Sequence, residues 1–217
     1  MSLSISTLLD FIRSAYNVAD NDDFFKEQWI LNQIWSAENE LAIVGWVIER
    51  SFTTTSTAGT RAIAWPTNAL AIKELRYKGK KLLKLDLEDD PKNDDNNPTG
   101  TPTSYAIWEK EIILFPTPTV SSDTIQVRTY QTPAQITSTT GSLSVPDEYQ
   151  VSLADKVLFE MAAKDQNINL ASIYKNKWDR TVEKAKQNMR RQKRSDKLGR
   201  TKDYYFGSDS IQRKLYY

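Results

Sequence analysis

The sequence predicts an α+β fold: a four-helix core with an inserted small antiparallel β domain and an extended C-terminal arm. Near both ends of the chain, apolar residues recur at three- and four-residue spacing, the period of a helix that is buried on one side. Between these regions, β-branched and aromatic residues alternate with polar ones and are separated by Gly and Pro turns, which is typical of strands. The last residues follow neither pattern and therefore predict the arm.

The N-terminal helices of the predicted core span residues 1–45. The first helix is expected from about Ser4 to Val18, and the second after Asp22 or Asp23, either of which can cap free backbone N–H groups. The apolar stripes that predict the two helices are Ile5, Leu8, Leu9, Ile12 and Tyr16, then Phe25, Trp29, Ile30, Ile34, Ala37, Leu41 and Val44.

The β insertion is predicted to span residues 46–145 and to hold about five to seven strands. A threonine-rich strand ends at Thr55, a turn follows, and Arg61–Trp65 is expected to return beside it. Lys78-Gly79 predicts a tight hairpin. A second hairpin is expected from 105–108 and 111–115, and a last strand from 124–130.

The C-terminal helices are predicted within residues 146–194. The first follows Pro146 and carries Leu153, Val157 and Met161 on one face. The second has an apolar stripe that ends at Met189, and the extended docking arm is then expected over 195–217.

Charge is spread unevenly along a nearly neutral chain. The net charge is +1 over 217 residues, yet twelve basic residues face only three acidic ones between Ala171 and Lys202. Such a segment indicates a polyanionic partner or an acidic docking surface. Its densest part predicts a basic contact segment, made of Arg190, Arg191, Lys193, Arg194, Lys197 and Arg200.

The C-terminal arm is unusually aromatic, since unpacked termini are ordinarily polar and poor in aromatic residues. Aromatic side chains are common anchors of protein interfaces. We therefore expect the arm to dock on a partner. The predicted docking residues are Tyr204, Tyr205, Phe206, Ile211, Leu215, Tyr216 and Tyr217.

Catalysis has little support in the composition. The chain has no Cys and no His, which excludes thiol nucleophiles, disulfides, Cys or His zinc sites and histidine-based triads. No glycine-rich phosphate-binding pattern occurs, so no cofactor is expected. The acidic stretch 86–97 could bind a divalent cation, but a solvated loop is the favoured interpretation. Asp147 and Glu148 are explained by a helix start.

No apolar run reaches the roughly 18 residues of a membrane span, and the N-terminus does not resemble a signal peptide. The sequence thus predicts a protein that stays in the cytoplasm where it is made and has no membrane partner.

Several segments form a recognisable order along about 200 residues of the chain. They are Leu8–Ile12, Trp46 with Phe52–Thr55, Trp65–Leu75, Pro102–Ile107, Ile113–Pro118, Ile125–Tyr130, Pro146–Tyr149 and the following pair of helices. In this order they resemble the head-to-tail adaptor, or head-completion, proteins of tailed bacteriophages, most closely those of short-tailed phages.

This resemblance implies a structural virion protein in the neck, between portal and tail, that completes the head after DNA packaging. It implies a homo-oligomeric ring, a dodecamer that matches the portal. The implied partners are the portal protein and a downstream tail or nozzle protein, with passing genomic DNA as a further contact. The family has no catalytic motif to transfer, so the chain is not expected to be an enzyme.

One alternative stays open at the level of the sequence. The basic C-terminal helix could bind nucleic acid without reading its sequence, because phosphate contacts give affinity but no specificity. The mass of the free protein and the salt dependence of any DNA binding would distinguish the two functions.

Overall fold

The computed structural model describes residues 3–20, 22–86 and 98–212, with side chains up to Gln192. The chain divides into two compact units. The helical unit comprises Met1–Val47 and Ala134–Tyr217, and the β unit comprises Ile48–Pro133. Residues 134–145, which the sequence pattern places in the β insertion, group with the helices instead. Their burial explains this, because Ile136, Leu143 and Val145 are core residues.

The helical unit contains five helices among the described residues. They are α1 (Ile5–Tyr16), α2 (Glu27–Gly45), α3 (Asp147–Gln150), α4 (Leu153–Lys164) and α5 (Ile168–Gln212). The four longer helices are the predicted ones, and α3 is one additional turn.

The N-terminal helices have the predicted buried faces but one different start. Ser4 caps α1 by accepting a hydrogen bond from the Thr7 N–H. Asp22 does not cap α2, which begins after Lys26. Its Oδ1 instead accepts from the N–H groups of Phe24 and Phe25 at 2.8 and 2.7 Å. The carboxylate therefore stabilises a separate turn ahead of the helix.

A close crossing holds α5 against α2. A Cβ atom built on Gly45 would lie 2.7 Å from the Cβ of Ala185, so both positions need small residues. Ala185 is fully buried, and Trp178 and Val182 lie on the same side of α5. Further along α5, Asn188 donates to the Tyr149 hydroxyl at 2.9 Å.

α5 is much longer than the sequence pattern predicts. The apolar stripe ends at Met189, but the helix continues to Gln212, so residues 195–212 are helical where an extended arm is expected. The reason is local. The stretch just before it, residues 186–194, is rich in Lys, Arg and Gln, which are good helix formers, and no proline lies between there and residue 212 to break the helix. A helix needs an apolar stripe only where it packs.

The described residues of the β unit form ten short strands in three small sheets. The strands are β1 (Glu49–Thr55), β2 (Ala62–Ala64), β3 (Ala69–Tyr77), β4 (Lys80–Lys81), β5 (Leu83–Lys84), β6 (Thr99–Gly100), β7 (Ser104–Trp108), β8 (Glu111–Phe115), β9 (Thr117–Pro118) and β10 (Thr124–Gln131). The four-stranded sheets have the orders β1-β10-β3-β4 and β2-β8-β7-β5, and β6 pairs with β9.

Both predicted hairpins are present. Lys78 and Gly79 have φ of 49° and 77°, as the tight turn between β3 and β4 requires. β7 and β8 pair antiparallel from Ser104 opposite Phe115. The prediction that β2 returns beside β1 is wrong, because β2 pairs with β8. The sheets are also not wholly antiparallel, since β5–β7 and β6–β9 are parallel pairs.

The β unit has its own hydrophobic core, and its first and last strands pair with each other. Its buried cluster lies between the two larger sheets and consists of Leu75, Tyr77, Leu82, Tyr105, Ile112, Leu114, Ile125 and Val127. At its ends, the N–H of Gln131 donates to the carbonyl of Ile48 at 3.0 Å. The chain thus enters and leaves the β unit on two neighbouring strands.

Candidate functional site

The surface of α5 is the candidate functional site. Its buried side is made by Ala171, Trp178, Val182 and Ala185. Its other sides are exposed and basic. Seven basic and two acidic residues lie between positions 168 and 192. The helix therefore combines a packed face, which fixes its position, with a solvated face that carries net positive charge.

Most of these cations form no ion pair with another described residue. Lys184 Nζ lies 3.4 Å from a carboxylate oxygen of Glu148, and Lys177 lies over the Tyr174 ring at 5.1 Å. Within the described part of the chain, no ion pair is found for Lys175, Arg180, Lys186, Arg190 and Arg191. Their charge remains available for an anionic partner.

The predicted basic contact segment lies entirely on α5. Arg190 and Arg191 are exposed on the helix. Positions 193, 194, 197 and 200 belong to the same helix, and only their backbone is described. At about 3.6 residues per turn, positions 190, 193, 194, 197 and 200 recur on one face of the helix. The helix thus brings together residue positions that the sequence presents only as a run.

The predicted docking residues divide into two groups. Positions 204, 205, 206 and 211 belong to the last three turns of α5. Leu215, Tyr216 and Tyr217 lie outside the described residues. The docking hypothesis therefore concerns a helical end of the chain followed by a short terminal segment.

The acidic candidates have structural roles where they are described. Asp147 and Glu148 lie in the first turn of α3, and Glu148 pairs with Lys184. Asp86 lies 3.8 Å from Lys84, while residues 87–97 of the acidic stretch lie outside the described residues. Across the ranges that the structure describes, no three Asp or Glu side chains are grouped as a metal site would require.

An aromatic cluster around Lys164 has no clear signal in the sequence. Lys164 Nζ lies 4.3, 5.1 and 4.7 Å from the ring centroids of Phe24, Phe25 and Trp29. Cation–π attraction of this kind holds the end of α4 against the segment before α2. The cation in this cluster is Lys164 of the chain itself, so the cluster stabilises the fold and is not a ligand site.

None of the helices in the described ranges combines the length and the apolar character of a membrane span.

Comparison with known proteins gives a family match over most of the chain. The model of the SU10 adaptor protein family matches residues 4–201, which cover the whole β unit and most of the helical unit. A search of curated proteins found no match. Because the family match covers most of the 217 residues, the chain belongs to the SU10 adaptor protein family, a family of structural adaptor proteins of bacteriophages.

Proposed function

We propose that this protein forms the ring that joins the portal to the tail, in the neck of a short-tailed phage, and completes the head after DNA packaging. The observation that carries the proposal is the length of α5. Among the side chains that the structure describes, up to Gln192, the last fully buried one on this helix is Ala185, yet the helix runs to Gln212. At about 1.5 Å per residue, its remaining 27 residues extend about 40 Å.

A helix of this length without a packed stripe gains little from its own unit. Isolated helices are marginal in water, so a long projecting helix is best explained by a partner that stabilises it. In the proposal, this partner is the portal protein. Its contacts are the basic contact segment and the aromatic docking residues at the C-terminal end.

The charges of the helical unit support ring formation. Residues 1–47 carry seven acidic and two basic residues, whereas residues 168–192 carry seven basic and two acidic residues. A head-to-tail ring places different surfaces of neighbouring subunits in contact. Opposite charges on two parts of the same unit favour such contacts, and we propose a dodecamer that matches the portal.

Imaging of the purified protein with and without a portal protein tests this function. We expect monomers or weak oligomers of the free protein, and rings on the portal. Deletion of residues 203–217 should abolish portal attachment but keep the cooperative thermal transition, because the apolar stripe that packs α5 ends at Met189. Rings that form equally well without the portal would contradict this order of assembly. Loss of cooperative unfolding in the deletion variant would assign the segment to the core.

The unpaired cations of α5 also favour a second candidate function, sequence-nonspecific binding of nucleic acid. Phosphate contacts by several Lys and Arg residues make the affinity fall steeply with salt. Filter binding of the purified protein to two unrelated duplexes tests it. Tight binding of both in a ring-free state would support the nucleic-acid function. Absence of binding at physiological salt would contradict it.

A further inference from the structure

The β unit has an open groove between two strands that follow each other in the chain. β1 is the edge strand of one four-stranded sheet and β2 is the edge strand of the other. In the described part of the chain, each is paired on one side only. A turn closed by a bridge between Thr57 and Thr60 joins them. Two free strand edges therefore border the same groove.

The groove extends from the surface to the core of the β unit. Its outer part has a volume of about 500 Å³ and its inner part about 200 Å³. The two parts share Thr54, Ile63 and Ala64, and the inner part reaches the buried side chains of Leu114 and Ile125. Phe52 on β1 and Trp65, the residue after β2, line the outer part. A strand that entered the groove would thus contact apolar side chains.

The pairing pattern shows which backbone groups of β1 are available. The Gln131 N–H donates to the carbonyl of Ile48, and the Ser56 N–H donates to the carbonyl of Asp123. Both pairs belong to the register that places Phe52 opposite Val127. In an antiparallel pair, hydrogen-bonded and non-hydrogen-bonded residue pairs alternate. The even-numbered residues of β1 therefore bond to β10. Ser51, Thr53 and Thr55 direct their N–H and C=O groups to the free edge.

The same alternation applies to β2. The Leu114 N–H donates to the carbonyl of Arg61, which makes the pair of Arg61 and Leu114 hydrogen-bonded. Ala62 and Ala64 consequently direct their backbone groups away from β8, to the free edge of β2. The groove thus offers donors and acceptors along both of its sides.

After its first two residues, Glu49 and Arg50, β1 lacks the features that usually protect an exposed edge strand. Such edges commonly carry charged residues, prolines or bulges, which prevent pairing with other chains. Residues 51–60 contain neither a charged residue nor a proline, although 26% of the chain is charged. All residues that line the two parts of the groove are also uncharged. An unprotected edge beside an apolar groove indicates that a strand covers it in the assembly.

We propose that the groove between β1 and β2 binds an extended, uncharged strand of a partner protein. The strand pairs with the free edge of β1 and places alternate apolar side chains between Phe52 and Trp65. This mode of recognition adds a strand to a sheet, with affinity from the backbone and selectivity from the side-chain pockets. A nucleic acid does not fit, because the lining has no cation.

The chain itself does not supply this strand. Residues 87–97 contain five acidic residues and a proline, and residues 213–217 begin with Arg and Lys. Neither gives five consecutive uncharged residues that could pair with Ser51–Thr55. The occupant is therefore a different protein. The groove is separate from the α5 surface, so this inference stands whether or not α5 binds the portal.

A short peptide probe tests the proposal on the full-length protein. The probe is the acetylated, amidated hexapeptide Thr-Val-Thr-Val-Thr-Val, whose binding is followed by NMR and amide hydrogen exchange. We expect slower exchange, by about tenfold or more at saturation, at Ser51, Thr53 and Thr55. Arg50, Phe52 and Thr54 already bond to β10, so their exchange should change little. Slowed exchange confined to other parts of the chain, or no binding at millimolar peptide, would overturn the proposal.

Variants at Thr53 separate edge pairing from side-chain contact. Thr53→Pro removes a backbone N–H that points to the free edge and leaves the bonds to β10 in place. It should abolish peptide binding. Thr53→Val keeps the N–H and should bind as the native protein does. Equal binding by both variants would contradict pairing at this edge.

The oligomeric state of the free protein tests the choice of occupant. Edge-to-edge pairing of β1 with β1 of a second copy would give a closed dimer, which light scattering detects. A dimer that Thr53→Pro dissociates would overturn the partner strand as the occupant. A native protein that stays monomeric while the peptide binds would support it.

Discussion

At the scale of single residues, the helical unit depends on polar side chains that the sequence pattern does not reveal. Glu38 is buried, and its Oε1 accepts hydrogen bonds from the N–H groups of Ser144 and Val145 at 2.6 and 3.2 Å. Gln150 accepts from the Leu3 N–H at 2.6 Å and donates to the Val145 carbonyl at 3.0 Å. Together, Glu38 and Gln150 hold the segment at Ser144 and Val145 and the N-terminal residue Leu3 against the helices.

Removal of the Glu38 acceptor should destabilise the helical unit. In Glu38→Leu, the N–H groups of Ser144 and Val145 lose their partner inside the protein, which should cost about 2–4 kcal/mol of unfolding free energy. Glu38→Gln keeps an acceptor oxygen and should cost clearly less. Urea unfolding measures both variants. Equal losses would mean that packing, rather than the hydrogen bonds, makes this position important.

The turn between β3 and β4 carries an ion pair that should make the β unit sensitive to acid. Lys78 Nζ lies 2.8 Å from Asp123 Oδ1, and the Tyr77 hydroxyl donates to Asp123 Oδ2 at 2.6 Å. The hydrogen bond from Lys78, followed by that from Tyr77, holds the pKa of Asp123 below its ordinary value of 3.8. The folded state therefore favours the ionised carboxylate.

The sign of the pH effect follows from this lowered pKa. The contribution of Asp123 to stability is fully present above the unfolded pKa and is lost as pH falls through the lower folded pKa. Asp123→Asn should thus lower the melting temperature at neutral pH, with a difference from the native protein that shrinks in acid. Asp179→Asn, on the exposed side of α5, is the matched control. A difference that stays constant down to about pH 2 would contradict the role of ionisation.

At the scale of elements, predictions from the sequence succeed where a periodic pattern and its burial coincide. The buried faces of α1, α4 and the start of α5 follow the apolar stripes, and the hairpin at Lys78-Gly79 follows its turn residues. The partner of β2 and the full length of α5 could not be predicted in this way. β2 has only three residues, and its partner β8 lies about 50 positions further along the chain. The part of α5 beyond Met189 carries no apolar stripe from which a helix could be predicted.

The residue types of the candidate site could be predicted from the sequence, but their arrangement in space could not. The basic run and the aromatic tail are visible in the sequence. Their arrangement depends on the crossing of α5 and α2, which the contact of Gly45 with Ala185 determines. This crossing leaves Arg190 and Arg191 exposed and unpaired among the described residues. The groove beside β1 was not predicted, although the uncharged run 51–60 was a signal for it.

Neutralisation of the basic contact segment should weaken assembly without unfolding the protein. Replacement of Arg190, Arg191, Lys193 and Arg194 by Gln should weaken portal binding and flatten its salt dependence. Screening limits exposed charges to about 8 Å at physiological salt, so these cations must lie close to their partner. The melting temperature should change little, because Arg190 and Arg191 are exposed.

A control variant separates position from net charge. Replacement of Lys175, Lys177, Arg180 and Lys186 by Gln removes the same charge from the packed part of α5. Portal binding that weakens equally in both variants would show that net charge, not the projecting segment, drives attachment. The dependence of the affinity on salt measures this difference.

At the scale of the whole molecule, the protein is two units with separate cores. The buried cluster of the β unit contains no residue from outside Ile48–Pro133. The buried residues of α1, α2, α4 and α5 come from the other part of the chain. This division suits an assembly protein, because one unit can carry the α5 surface while the other carries the groove.

The two units should fold separately. Deletion of residues 48–133, with a linker of about three residues between Val47 and Ala134, should leave a helical protein with cooperative unfolding. The isolated β unit should keep a protected core in amide exchange. Circular dichroism and urea unfolding measure both products. A helical fragment that unfolds without a cooperative transition would mean that it needs the β unit for stability.

The hydrogen bond between Gln131 and Ile48 also has a genetic consequence. The chain enters and leaves the β unit at neighbouring residues, whose Cα atoms are about 5.5 Å apart in such a hydrogen-bonded pair. Any inserted unit whose two ends lie equally close together would therefore connect to the helical unit in the same way. Two recombination points in the gene, near codons 47 and 134, would therefore exchange one inserted unit for another without disturbing the helices. A phage that acquired a different tail could in this way replace the groove and retain the α5 surface.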